Sequence, residues 1–225
     1  MRQSRALKVY IESVGLISLL CLSLFGLRMI VTGTGRYWFV PENLALAWAG
    51  LFFAWVLVNR LKTSPWRSWQ NIALSVLWLI FLPNTWYVLT DFVHVFATGE
   101  ISQLFDIVLI FNLVLCGFIL GFTSLYLVHR ELDKRCSLAR SYLLIEIVIL
   151  ISSFAIYLGR ILRWNSWDVL SDPGGLVINV SDRIIDPFGH PRSLNMTALF
   201  FVLLSATYFA FYRGVSFIRA SKTSH

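Results

Sequence analysis

Four residues near the middle of the chain have side chains and spacing suited to chemistry. Asn84, Tyr87, Asp91 and His94 recur at intervals of 3, 4 and 3. At about 100° per residue on a helix they cover an arc of roughly 80°. Val88, Phe92, Val93 and Phe96 would point away from it, and Thr90 adds a hydroxyl nearby. Asp91 and His94 at i, i+3 are the types that exchange protons, and Asn84 and Tyr87 the types that orient a polar ligand. A second cluster, Arg160, Arg163, Trp164, Asn165, Trp167 and Asp168, follows some 70 residues later. Two arginines one turn apart suit a phosphate or carboxylate held bidentately, provided the helix continues that far. Asp106 is a third contributor. The candidate ligand-binding set is therefore Asn84, Tyr87, Thr90, Asp91, His94, Asp106, Arg160, Arg163, Asn165 and Asp168. No catalytic role is assigned to any of them. A lone D-x-x-H is not a metal motif, and neither a metal nor another cofactor is expected.

The elements that must hold these residues are membrane helices. Of 225 residues, 57% are hydrophobic and 14% charged, and mean hydropathy is +0.71. A soluble domain carries about 25% charged residues, so an ordinary soluble domain, a disordered chain and a fibrous repeat are excluded. A formal net charge of +7 could suggest nucleic acid, but the basic residues lie mostly between apolar runs. Topology control explains that pattern, so the expected partner is the lipid bilayer and not nucleic acid. The cysteines, Cys21, Cys116 and Cys136, form no CxxC and no disulfide framework.

Apolar runs near the ~20 residues needed to span predict six helices, at 9–31, 44–61, 69–96, 105–128, 142–162 and 196–217. The chain reads as a single integral membrane domain, an all-α bundle. The first run is long for a signal peptide and carries Glu12, so it is read as a retained span. In the third, Pro83 deprives the helix of a hydrogen bond near Leu79 and predicts one kinked helix; two half-helices are the alternative. Between spans five and six, Asp172-Pro173 reads as an N-cap and first helical position. Val177, Val180, Ile184 and Phe188 follow at helical spacing, which predicts a short amphipathic helix at the outer interface, ended by Pro187.

Orientation follows from the basic residues. With the N-terminus inside, Arg2, Arg5 and Lys8 share a side with Arg60, Lys62, Arg67, Arg130, Lys134, Arg135, Arg140, Arg213, Arg219 and Lys222. The other side keeps Arg28, Arg36, Arg160, Arg163, Arg183 and Arg192. This bias predicts both termini in the cytoplasm of a cell whose inner membrane the chain spans. All three polar clusters then lie at the outer face. Ionisable residues inside spans are costly, so Asp91 is expected to pair with an arginine there, Arg160 first and Arg163 second.

The segment FLPNTWYVLTDFVH at 81–94, with YLGR at 157–160 and RWNSWD at 163–168, resembles the two signatures of a bacterial membrane family, domain of unknown function 1361. Trp86 departs from the proline usual there. The resemblance implies a bacterial multi-pass membrane protein and supplies no reaction.

Three functions compete on this sequence. The first is binding or transport of a small polar or anionic ligand at the outer face. The second is a membrane-embedded enzyme acting on a lipid or lipid-linked phosphate through its headgroup. The third is a structural or assembly factor for membrane proteins. Gly117-x-x-x-Gly121 could pack helices within one chain or between copies in a homo-oligomer.

Overall fold

The computed structural model describes residues 2–97 and 99–223, with the side chains at 2–8, 170 and 219–223 outside the description. The described residues fold entirely as helices and connections. In chain order they are α1 (Arg2–Thr32), α2 (Phe39–Arg60), α3 (Trp69–Phe81), α4 (Asn84–Tyr87), a 3-10 helix (Val88–His94), α5 (Gln103–Asp133), α6 (Leu138–Ile161), α7 (Asp168–Ser171), α8 (Pro173–Ile185) and α9 (Pro191–Thr223). Six stretches are long and apolar enough to cross a membrane: Val9–Thr32, Phe39–Arg60, Trp69–His94, Gln103–Asp133, Leu138–Ile161 and Pro191–Ile218. The protein is therefore a multi-pass helical membrane bundle.

The chain divides into two compact units. The first comprises residues 1–57 and 72–124; the second comprises 58–71 and 125–225. α5 contributes to both.

The first unit is built on close backbone approach. Its core gathers Cys21, Phe25, Tyr37, Leu44, Val88, Leu109 and Leu113. Trp78 Nε1 donates to Ser124 Oγ at 2.7 Å, and Ser124 donates to the Gly50 carbonyl at 3.2 Å. Gly50, Gly117 and Gly121 all face Thr85, and a Cβ at Gly117 would fall on the Thr85 carbonyl oxygen. The small-residue spacing on α5 thus packs helices within one chain.

The third span shows how proline reshapes a helix. Leu82 N–H still bonds Trp78 O at 2.8 Å, but Pro83 has no N–H to offer and α3 ends at Phe81. Pro83 (φ −58°, ψ −30°), Tyr87 (φ −52°, ψ −35°) and Val88 (φ −55°, ψ −22°) all remain right-handed helical. The helix is interrupted at Leu82-Pro83, and the chain continues within one span, Trp69–His94. It continues, however, as one α turn followed by seven 3-10 residues. In a 3-10 helix, residues three apart eclipse. Val88, Asp91 and His94 therefore share a side, and the expectation that Val88 points away from the polar face is corrected. Val88 is wholly buried in the core.

In the second unit α6 packs along α9. Ile145, Ile149, Ile156, Leu204 and Tyr208 are buried, and Ser205 Oγ donates to Glu146 Oε2 at 2.6 Å. The loop after α2 is tied to the end of α5 by Arg135 Nη2, which donates to the Leu61 carbonyl at 2.9 Å. α8 forms as its cap requires: Asp172 Oδ1 accepts from Gly175 N–H at 2.9 Å, with Pro173 at the first position. It ends at Ile185, two residues before Pro187, and carries no buried residue. Ile178, Ile184 and Ile185 are each more than 60% exposed, the pattern of a helix that lies in an interface.

Candidate functional site

In the first unit the polar residues converge on one ion pair. Arg28 Nε donates to Asp106 Oδ1 at 2.7 Å and Nη2 donates to Oδ2 at 3.3 Å, a bidentate geometry with both side chains 1% exposed. Arg28 Nη2 also reaches Glu100 Oε2 at 3.3 Å, and Nη1 reaches Thr34 Oγ1 at 3.4 Å. The guanidinium lies 4.2 Å over the Tyr37 ring. Tyr37 Oη shares its proton between Asp106 Oδ2 and the His94 carbonyl, each at 3.1 Å. Burial, then the neighbouring Asp106 carboxylate, push the Tyr37 phenol up to about 12. Tyr37 is thus a permanent donor, and both Asp106 oxygens are occupied.

Of the candidates on the third span, His94 joins this cluster through its backbone carbonyl, which Tyr37 Oη reaches. Asn84 Nδ2 donates to the Phe81 carbonyl at 3.2 Å and the Ile80 carbonyl at 3.4 Å. The amide thus serves carbonyls left at the proline break. Thr90 Oγ1 donates to the Tyr87 carbonyl at 2.7 Å. Asp91 is 2% exposed and its Oδ2 accepts from Asn43 Nδ2 at 2.8 Å. The His94 ring packs 5.1 Å from the Phe39 ring. Asn43, Tyr37 and Glu100 were not legible as site residues. Each belongs to a segment that looks ordinary by itself, and its partner is tens of residues away.

The second motif belongs to the other unit, and its helix does not continue. α6 ends at Ile161, and Arg163 takes a left-handed conformation (φ 62°) while Trp164 N–H caps the Leu158 carbonyl at 3.2 Å. Arg160 and Arg163 therefore do not share one helical face. Asp168 Oδ2 accepts from the Asn165 backbone N–H at 2.6 Å and from Asn165 Nδ2 at 3.3 Å, which closes a local turn.

A cavity of about 420 Å³ opens in the second unit between α6, α8 and the start of α9. Leu150, Ile151, Phe154, Val180, Ile184 and Leu194 give it apolar walls, with Ser193 and Thr197 from α9. Arg183 is its one cationic lining residue and is 12% exposed. Its Nε approaches Tyr157 Oη at 3.4 Å, and Nη1 donates to the Asn179 carbonyl at 2.9 Å and Asp182 Oδ2 at 3.2 Å. Nη2 bonds no acceptor among the described residues. Thr197 Oγ1 is buried without a hydrogen-bond partner. His190 Nε2 meets Asp182 Oδ2 at 2.9 Å and fixes the end of α8. Arg183 was visible in the sequence only as one of several outer-face cations. No group of three or more His, Cys, Asp and Glu suited to a metal ion occurs among the described residues.

Six apolar helices with ionisable residues buried inside them define a polytopic membrane protein. Within that class the chain belongs to the family described as Protein of unknown function (DUF1361), whose model matches residues 42–207. That stretch contains both motifs and the cavity. Comparison with curated proteins returns no match, and neither does comparison with solved structures.

Proposed function

We propose that the protein binds an anionic membrane lipid, with the phosphate of the headgroup at Arg183 and a hydrocarbon chain along the apolar walls of the second unit's cavity. The observation that carries this reading is Arg183 itself: a largely buried guanidinium, paired with Asp182 through Nη1, whose Nη2 bonds no acceptor among the described residues and which lines an otherwise apolar cavity. Nη2 can donate to a further anionic oxygen, and the walls favour a chain over water. The buried Thr197 hydroxyl adds a polar group that a headgroup oxygen could satisfy. The cavity volume lies within the ~300–1,000 Å³ usual for ligand sites.

The polar cluster of the first unit supports a small-solute site less well. Arg28 already has two carboxylates, and both oxygens of Asp106 are taken. Its charges hold the unit together. We further read the membrane as a cell inner membrane with both termini cytoplasmic, on the distribution of Lys and Arg.

The test uses the full chain in detergent. After delipidation, rebinding of dioleoylphosphatidylglycerol is compared with that of dioleoylphosphatidylcholine by native mass spectrometry. A hydrogen bond to a charged group is worth about 1.5–3 kcal/mol, so Arg183→Gln should weaken the anionic lipid roughly 10- to 100-fold. Arg183→Lys should retain part of it, and Leu150→Trp should block it by filling the slot. Equal retention of both lipids by wild type and Arg183→Gln would overturn the reading.

A further inference from the structure

At the end of α5, within the second unit, lies a cluster that the lipid reading does not use. His129 is wholly buried. Its Nδ1 is 2.9 Å from Tyr208 Oη, and its Nε2 is 3.5 Å from Asp133 Oδ1 with no hydrogen-bond partner. Tyr212 stacks on the imidazole at 4.5 Å and Tyr142 stands edge-on at 4.9 Å. Asp133, one turn further along α5, is 24% exposed. It accepts from Ser141 Oγ at 2.6 Å and Tyr212 Oη at 2.8 Å.

The surroundings decide the charge. α6 presents Ser141 and Tyr142; α9 presents Tyr208, Tyr212 and Arg213; α5 itself adds Tyr126. The Arg213 guanidinium lies over the Phe209 ring at 5.7 Å. No Lys or Arg forms an ion pair with Asp133 among the described residues. The hydroxyls can donate to the carboxylate but cannot neutralise it. Counting the imidazole and the carboxylate alone, a neutral imidazole leaves a charge of −1 and one added proton brings the pair to zero.

We propose that His129 and Asp133 form a proton-binding site, with Tyr208 and Tyr212 fixing the two partners. The proton comes from water at the exposed edge of Asp133 and bonds to the lone pair of His129 Nε2. The product is an imidazolium facing a carboxylate, and nothing is oxidised or reduced. Assigning Nδ1–H as the donor to Tyr208 Oη leaves Nε2, which has no hydrogen-bond partner, as the nitrogen that receives the proton. Ionisable groups inside spans are typical of proton-carrying membrane proteins, and this pair combines a buried acceptor with a partly exposed entry residue.

The experiment is an NMR titration of ring-¹⁵N-histidine in the full chain in nanodiscs, from about pH 4 to 9, the range that brackets imidazole. His129→Gln assigns the signal. The expected result is protonation at Nε2, with Asp133→Asn lowering the midpoint by about one unit or more, a tenfold loss of proton affinity. Should Asp133→Asn fail to fold, Tyr212→Phe removes one donor from the carboxylate and should raise the midpoint. An imidazole that stays neutral throughout, or a midpoint unmoved by either variant, would overturn the proposal.

Discussion

Arg28 and Asp106 stand 78 residues apart in sequence and 2.7 Å apart in the fold, each 1% exposed. Removing one member of a buried pair strands the other charge, at a cost of about 3–5 kcal/mol. Arg28→Gln and Asp106→Asn should each lower the thermal midpoint and the monodisperse yield in detergent. Arg28→Met with Asp106→Leu should recover part of the loss, because neither charge then remains buried. Strictly additive losses in that cycle would show that the pair is not coupled.

Tyr37 makes the same cluster sensitive to alkali. The folded phenol holds its proton to about 12, whereas an unfolded tyrosine releases it near pH 10. Between those values the unfolded chain binds fewer protons, so stability falls as pH rises. The contribution is complete below pH ~10 and is lost as pH approaches the folded value. Thermal midpoints measured upward from neutral pH should fall more steeply for wild type than for Tyr37→Phe. Parallel curves would mean that the phenol does not hold its proton as argued.

Gly117 and Gly121 have no room for a methyl group. A Cβ at Gly117 would meet the Thr85 carbonyl oxygen, which is backbone and cannot swing aside. At Gly121 it would meet Thr85 Oγ1 and lie 2.7 Å from Trp86 Nε1. Overpacking of this kind costs about 1–3 kcal/mol, and more where backbone must move. Gly117→Ala should be the more damaging of the two by thermal unfolding. Gly15, with nothing within 4 Å, is the control, and Gly15→Ala should be neutral or slightly stabilising. A Gly117→Ala protein as stable as wild type would refute the close approach.

What could be read from the chain was whatever local chemistry determines. Pro83 lacks an N–H wherever it stands, so the interruption of the third span was legible. Asp172-Pro173 announces a helix start, and α8 begins there. Spans followed from run length, although α5 outlasts its apolar run. His129, Glu131 and Asp133 continue a helix that hydropathy alone would have ended at 128. The tightening to 3-10 geometry after Tyr87 has no local signature. The left-handed turn at Arg163 has none either, since arginine is not a residue that announces it. Pairings such as Arg28 with Asp106, Asn43 with Asp91 and His129 with Tyr208 depend on which helices become neighbours. Periodicity within one helix does not carry that information.

Asn43 Nδ2 donates to Asp91 Oδ2 at 2.8 Å, with the two residues 8% and 2% exposed. Asp91 lies in the 3-10 segment that follows the proline break, and hydrogen-bond geometry in a 3-10 helix is poorer than in an α-helix. A carboxylate in that position depends on its donors, and a hydrogen bond to a charged group is worth about 1.5–3 kcal/mol. Asn43→Leu fills similar space but withdraws the donor while the carboxylate stays. Asp91→Asn instead removes the charge and leaves an amide oxygen that can still accept from Asn43. Asn43→Leu should therefore be the more destabilising change, and combining it with Asp91→Leu should restore part of the stability. Thermal unfolding of the three variants in one detergent makes the comparison. If Asn43→Leu matches wild type while Asp91→Asn is impaired, Asn43 is not the donor on which Asp91 relies.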